Sequence, residues 1–187
     1  SIANAAQAAG HRIQFDSHTL TQLMYAGQQA SNGIKTRFTH PSWTNDGLGK
    51  FIGRMKNFRI ETSDQGERLL ADLHLADAAD SSPEGKLRSY VLELASEDPE
   101  SFGVSVVVSL DLVWVTESGS EIPASKPQPE NTRYPVPVAR ITRFHAADLV
   151  DEPALNPNGI FSTSEGAIKP MTDIFDEALS LTEESVN

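Results

Sequence analysis

Cysteine is absent from all 187 residues of this sequence, and cationic side chains are few. The first absence excludes disulfide bonds, zinc sites built on thiolates, and a cysteine nucleophile. Only 15 lysine and arginine residues stand against 26 acidic ones, which gives a net charge of -11. Because a phosphate-binding surface needs a cationic patch, we expect no nucleic-acid partner.

Long apolar runs and metal-ligand spacings are also missing. No apolar stretch approaches the roughly 20 residues that cross a membrane, and residues 1–10 lack the basic and long apolar parts of a signal peptide. We therefore expect an intracellular protein that does not bind membranes. None of the five histidines stands at ligand spacing from another histidine or a glutamate, so we expect neither a metal site nor a cofactor.

The length and a hydrophobic content of 39% suit one domain with a sizeable core. Composition along the chain predicts three parts. Small residues at 1–10 indicate a flexible leader, residues 11–161 form the domain, and residues 162–187 form an acidic tail or docking element with one amphipathic helix. Within the domain, the proline-rich residues 117–135 predict a long exposed loop.

Hydrophobic periodicity predicts an α+β domain that is mainly β. Residues 51–62 and 67–76 read as an antiparallel hairpin, since apolar and polar side chains alternate in the second strand. Helices are predicted from Ser17 for about a dozen residues and from Ser82 to about residue 95, because each serine precedes an apolar stripe. The remaining predicted strands cover residues 11–16, 35–39, 104–116 and 138–144.

Ser105 lies one step inside the most β-prone run of the chain, after a turn that contains Pro99 and Gly103. A stiff strand fixes such a hydroxyl, and amide groups at the start of a strand can bind a developing oxyanion. These are the needs of an acyl-transfer nucleophile. The same pattern also fits a serine that only alternates outward on a strand.

His40 follows a predicted strand and precedes Pro41, which restricts the histidine to extended geometry. Glycines at positions 47 and 49 leave room around the imidazole. Both a general base and a structural imidazole fit this context.

Three stretches, taken in order, resemble the prohead (capsid maturation) proteases of tailed phages. They are THPSWTNDGLGKFIGRMKNF, with a histidine at a strand end; DPESFGVSVVV, with a Gly-x-Ser motif; and ADLVDEPALNPNGIF, with an acidic-Pro-Ala-x-Asn-Pro segment. The resemblance covers roughly residues 15–161. It implies an antiparallel β-barrel with peripheral helices, like that of the herpesvirus assemblin proteases, and a serine endopeptidase activity.

The resemblance also implies partners, a location and two catalytic roles. The substrates would be the phage scaffold and the leader of the major capsid protein, cut inside the procapsid in the host cytoplasm, and assemblins suggest a homodimer. The Gly-x-Ser motif places the nucleophile at Ser105, with Ser101 as the alternative. The family's basic histidine corresponds to His40.

The third catalytic member and the oxyanion donor are carried over less directly. Phage members show a glutamate ahead of the Pro-Ala segment, and this sequence lacks it there. Assemblins use a second histidine after the nucleophile, which favours His145, with Asp148 as the alternative. Arg143 or Arg140 would assist at the oxyanion. The missing glutamate also supports another hypothesis, a non-catalytic structural or scaffold-associated head protein that retains the protease-like fold.

Overall fold

Two antiparallel β-sheets and two α-helices make up the part of the chain that the computed structural model describes. That part comprises residues 1–8, 11–39, 48–64, 66–151, 153 and 155. The strands and helices have the following bounds: β1 (Ala3–Asn4), β2 (Ile34–Arg37), β3 (Phe51–Ser63), β4 (Gly66–Leu75), β5 (Gly103–Val115), β6 (Glu121–Pro123), β7 (Val138–Val150), α1 (Ser17–Gln29) and α2 (Leu87–Glu97).

The first sheet has the strand order β1-β4-β3-β2 and the second has the order β6-β5-β7. The predicted α+β class with mainly β structure is confirmed, and the antiparallel sheet curls into a half-barrel. The hydrophobic core contains the large, fully buried apolar side chains of Ile2, Leu20, Leu23, Ile52, Met55, Phe58, Leu69 and Val104.

The predicted hairpin forms as β3 and β4. Gly66 closes the turn at a φ of +107°, a conformation that glycine adopts without steric cost. The ladder is irregular between Lys56 and Arg59, where a bulge occurs. Phe58 lies in this bulge and is buried, with its ring edge-on to Phe144 of β7 at a centroid distance of 5.7 Å. The irregularity therefore gives the hairpin a contact with the second sheet.

Helix α1 begins at Ser17, one residue earlier than predicted, because its N-cap is Asp16 rather than Ser17. The Asp16 carboxylate accepts a hydrogen bond from the backbone N–H of Thr19, and the Thr19 hydroxyl is paired with the Asp16 backbone N–H. This reciprocal capping box satisfies donors that a helix start would otherwise leave unpaired. The Asp16 carboxylate also accepts hydrogen bonds from Arg140 of β7. A serine at position 17 carries no charge that could pair with this arginine.

Helix α2 begins at Leu87, four residues later than predicted, since the sequence predicts Ser82 as the N-cap and Pro83 as the first helical residue. The Ser82 hydroxyl donates to the carbonyl of Gly49 and accepts from the backbone N–H of Glu84. Ser82 and Gly85 pair as an isolated bridge, and Gly85 has a φ of +115°. Residues 82–85 therefore form a turn, because the Ser82 hydroxyl bonds to Gly49 and Glu84 instead of capping the helix.

The prediction of a flexible leader is wrong for residues 1–8. Strand β1 pairs with β4, with Ala3 opposite Leu69, and the backbone N–H of Ile2 donates to the Leu69 carbonyl at 2.8 Å. Ile2 and Ala3 are buried. Pairing with β4 and burial of these two side chains therefore hold this segment on the domain.

Two other segments differ from expectation. Residues 11–16 form only isolated bridges, through Gln14 to Gln7 and Val138, rather than a strand. The proline-rich residues 117–135 are largely exposed, yet they contain β6, which pairs with the end of β5. The predicted C-terminal helix lies outside the described residues.

The two sheets meet where β2 runs beside β7. Phe38, just after β2, forms a parallel bridge with Leu149, and the backbone N–H of Thr39 donates to the Leu149 carbonyl at 2.7 Å. We call this contact, formed by residues 37–39 and 148–149, the β2–β7 junction. The junction brings the C-terminal end of β2 next to the C-terminal end of β7. That end of β7 pairs with the start of β5.

Candidate active site

Ser105 and Asp148 stand directly opposite each other in the β5–β7 ladder. Directly opposed residues of an antiparallel pair project to the same face of the sheet, so their side chains are neighbours. Ser105 is half-buried and Asp148 is fully buried. The structure thus brings together the predicted nucleophile and one of the two candidate third members.

Asp148 is held by Arg37 at the β2–β7 junction. Its Oδ1 accepts from Nε of Arg37 at 2.9 Å and from the Arg37 backbone N–H at 3.2 Å, while Oδ2 accepts from the second guanidinium nitrogen. A two-pronged arginine–carboxylate pair fixes direction as well as distance. The sequence reasoning missed Arg37, because its spacing from Asp148 along the chain gives no sign of this contact.

The junction ends at Thr39, which has a φ of +63°. A β-branched residue rarely adopts positive φ, and such strained residues occur disproportionately at functional sites. The next residue is His40, the predicted general base, and it lies outside the described residues. Thr39 also lines a cavity of about 350 Å³ together with Phe38, Tyr90, Ser101 and Leu149.

Ser101, the alternative nucleophile, has a structural contact. Its hydroxyl donates to the carbonyl of Asp98 at 2.8 Å and closes the turn between α2 and β5. Ser101 is exposed, whereas Ser105 lies within the ladder. Of the two serines, the structure places Ser105 opposite the buried carboxylate.

His145 lies elsewhere on the same pair of strands. It is the extra residue of a bulge in β7, because Ala146 pairs with Val107 while Phe144 pairs with Val108. Its Nε2 lies 2.7 Å from the hydroxyl of Ser109. It precedes Asp148 by three positions along the strand, which corresponds to about 10 Å. The structure therefore places His145 beside Ser109 rather than opposite Ser105.

Arg140 is buried in a network at the start of α1. Its guanidinium donates to Asp16 at 2.9 and 3.0 Å and to Glu121 at 2.7 Å. Burial opposes the charge on Asp16, but hydrogen bonds from Arg140 and Thr19 outweigh it and hold the pKa of the Asp16 carboxyl below its ordinary value. Burial likewise opposes the charge on Arg140, and the two carboxylates outweigh it and raise its pKa.

The ladder places both predicted oxyanion arginines away from Ser105. Arg140 stands opposite Asp111, six residues along β5, and Arg143 stands opposite Ser109, four residues along. The contacts of Arg140 are those of a structural residue. Arg37 is the arginine that the structure brings to the Ser105–Asp148 pair.

A cavity of about 170 Å³ adjoins Ser105. Its lining is mostly apolar and includes Ala8, Ile13, Phe15, Val106 and Leu155. A space of this size and character can take one apolar side chain. Among the described residues, no group of three or more histidine, aspartate or glutamate side chains could hold a metal ion. None of the helices in the described ranges is long and apolar enough to cross a membrane.

No protein-family model matches this sequence, and comparisons with curated proteins and with solved structures found no match. The chemistry of the site therefore rests on its own geometry.

Proposed function

We propose that the protein is a serine endopeptidase of phage head assembly, which cuts scaffold and capsid-protein leader segments during procapsid maturation. One observation carries this proposal: Ser105 stands opposite the buried Asp148, and the β2–β7 junction beside them ends at Thr39, the residue before His40 in the sequence. A hydroxyl, a fixed carboxylate and a histidine are the parts of a serine-protease triad. The resemblance to prohead proteases supplies the substrates, the procapsid location and the homodimer.

In this proposal the third catalytic member is Asp148, in place of His145. His40 takes the proton of the Ser105 hydroxyl as its oxygen attacks the scissile carbonyl, and then gives that proton to the leaving amine. A water molecule then attacks the acyl-serine with the same proton transfers through His40, and the acyl group leaves as a carboxylic acid. Asp148 holds the imidazole and stabilises its charged form, while Arg37 keeps the carboxylate in position.

Two features of the β2–β7 junction support the proposal. The hydrogen bond from the backbone N–H of Thr39 to the Leu149 carbonyl fixes the residue that precedes His40 in the sequence. The strained backbone of Thr39 is the kind of irregularity that functional sites maintain. Backbone N–H groups near Ser105 would bind the oxyanion, since Arg143 and Arg140 lie farther along the ladder.

The curled half-barrel is compatible with the assemblin type of fold that the resemblance implies. We include in the proposal that the sheet belongs to a closed barrel of this type.

The test is incubation of the full chain with phage scaffold and capsid proteins as candidate substrates. Discrete fragments are expected from the parent, and Ser105→Ala is expected to abolish them, while Ser101→Ala leaves the pattern unchanged. Asp148→Asn should lower kcat by about 10⁴-fold, the loss seen when a triad carboxylate is replaced. His145→Ala should cut at a rate close to that of the parent, which separates the two candidate third members.

Urea unfolding of each variant shows whether lost activity reflects lost folding. Fragments that persist in a folded Ser105→Ala variant would exclude Ser105 as the nucleophile. The second candidate function is a non-catalytic head protein with a protease-like fold. The Arg37–Asp148 pair favours it, because this contact has a structural use in joining the sheets. A parent that yields no fragments while binding scaffold would support this alternative.

A further inference from the structure

A second serine meets a histidine on the same two strands, four residues along β5 from Ser105. The hydroxyl of Ser109 lies 2.7 Å from Nε2 of His145. Ser109 is exposed and His145 is half-buried, so solvent and small solutes reach the pair. The proposed peptidase mechanism uses neither residue.

The bulge in β7 produces this contact. His145 is inserted between the residues that pair with Val107 and Val108, and such an extra residue redirects side chains locally. Ser109 itself stands opposite Arg143, so the arginine projects from the same face as the hydroxyl. A hydroxyl, an imidazole and a guanidinium are thereby grouped on one exposed face.

We propose that Ser109 and His145 form a second nucleophile–base pair, which accepts an acyl group from small activated carboxylic esters. In the tautomer with its proton on Nδ1, the imidazole accepts the Ser109 proton at Nε2. The serine oxygen bonds to the ester carbonyl, the bond to the alcohol breaks, and His145 passes the proton to the departing alkoxide. Water then attacks the acyl-serine and releases the carboxylic acid.

The surroundings favour small, reactive donors over peptides. The lining of the cavity beside Ser105 includes Val106, Val108 and Leu110 of β5 but does not include Ser109. An exposed pair provides little binding energy for a long peptide. The acyl donor must therefore be an ester that is already reactive because its alcohol is a good leaving group. Arg143 stands opposite Ser109 in the ladder and would be the cation that stabilises the developing oxyanion at this pair.

The experiment treats the full chain with p-nitrophenyl acetate and locates acetyl groups by peptide mass spectrometry. Acetylation at Ser109 is expected in the parent and in Ser105→Ala, the variant in which peptide cleavage is lost. His145→Gln keeps a hydrogen-bonding side chain but removes the base. It should slow acetylation of Ser109 by about a hundredfold, the size of a general-base contribution.

Two exposed serines of the same chain are internal controls. Ser101 is bonded to a backbone carbonyl and Ser120 to another hydroxyl, and neither hydrogen bond involves an imidazole. Acetylation at Ser109 that is no faster than at these serines would overturn the proposal. So would an undiminished rate in His145→Gln, or an acetyl group that resides on His145 itself. These outcomes do not depend on peptide cleavage, because the Ser105→Ala variant separates the two activities.

Discussion

At the scale of single residues, two buried threonines affect stability differently because only one of their hydroxyls has hydrogen-bond partners among the described residues. Thr19 and Thr36 are both fully buried. The Thr19 hydroxyl bonds to Asp16, to the carbonyl of Ala139 and to Arg140. The Thr36 hydroxyl has no hydrogen-bond partner among the described residues. An unpaired buried hydroxyl costs free energy, whereas a paired one specifies a contact.

Thr36→Val is expected to stabilise the protein. Valine has nearly the same shape, and the substitution removes a buried polar group that lacks a partner. The free energy of unfolding should rise by about 1 kcal/mol, measured as a higher urea midpoint at unchanged slope. The matched control is Thr19→Val, which should lower the free energy of unfolding because it leaves the buried donors and acceptors around it unpaired. Equal effects of the two variants would contradict this explanation.

At the scale of elements, side chains from distant parts of the chain decide where a helix begins or how two strands approach. The N-cap of α1 is completed by Arg140 of β7. The start of α2 is shifted by the bond between Ser82 and Gly49. In the hairpin, β3 approaches β4 so closely at Gly53 that a Cβ there would lie 2.1 Å from the carbonyl oxygen of His74.

The α1 cap predicts a pH dependence of stability. The folded-state pKa of Asp16 is lowered, so its contribution is present above the unfolded pKa of about 3.9 and is lost as pH falls through the folded value. Asp16→Asn keeps a good capping residue but removes the charge that faces Arg140. It should cost about 2 kcal/mol at pH 7. The gap between parent and variant should narrow below about pH 4.

Urea unfolding between pH 7 and pH 2.5 measures this gap. Asp64→Asn, in the exposed turn of the hairpin, is the control and should stay parallel to the parent. A gap that widens on acidification would show that the sign of the linkage is wrong.

The close approach within the hairpin predicts a second effect. Gly53→Ala places a methyl group against the backbone of β4, which cannot rotate away as a side chain can. The free energy of unfolding should fall by about 1–3 kcal/mol. Gly49→Ala is the control, because its Cβ would meet Pro83 at an ordinary 3.4 Å, and it should change stability by no more than about 0.5 kcal/mol. Thermal or urea unfolding of both variants measures these changes in the free energy of unfolding.

At the scale of the whole molecule, the β2–β7 junction joins the two sheets. The backbone bond from Thr39 and the ion pair between Arg37 and Asp148 both cross it. In this pair the side chains are 13% and 0% exposed, against 53% and 43% in the surface pair of Arg59 and Asp72. Burial makes the loss of one partner far more costly than at the surface.

Arg37→Met is therefore expected to lower the free energy of unfolding by about 3 kcal/mol, because Asp148 stays buried without this cation. Arg59→Met should change it by less than about 1 kcal/mol. Adding Asp148→Leu to Arg37→Met should recover much of the loss, since both charges are then gone. Urea unfolding of the three variants provides the measurement. A double variant that is less stable than Arg37→Met would contradict the cost assigned to the buried carboxylate.

The sequence by itself determined the features that depend on neighbours along the chain. Period-two alternation located the hairpin and β5, and a polar residue before an apolar stripe located α1. These patterns also singled out Ser105 as a residue at the start of a strand. The motifs indicated Asp148 as one of two candidates for the third catalytic residue.

Only the tertiary structure decided which of those residues meet. The β5–β7 register places Asp148 opposite Ser105, and one bulge turns His145 toward Ser109 instead. Such a bulge depends on packing between strands, so the amino-acid pattern of β7 does not reveal it. Arg37 and Asp148 lie 111 positions apart in the chain. Their pairing follows from the curvature that brings two sheets together, and curvature is a property of the assembled strands rather than of either segment.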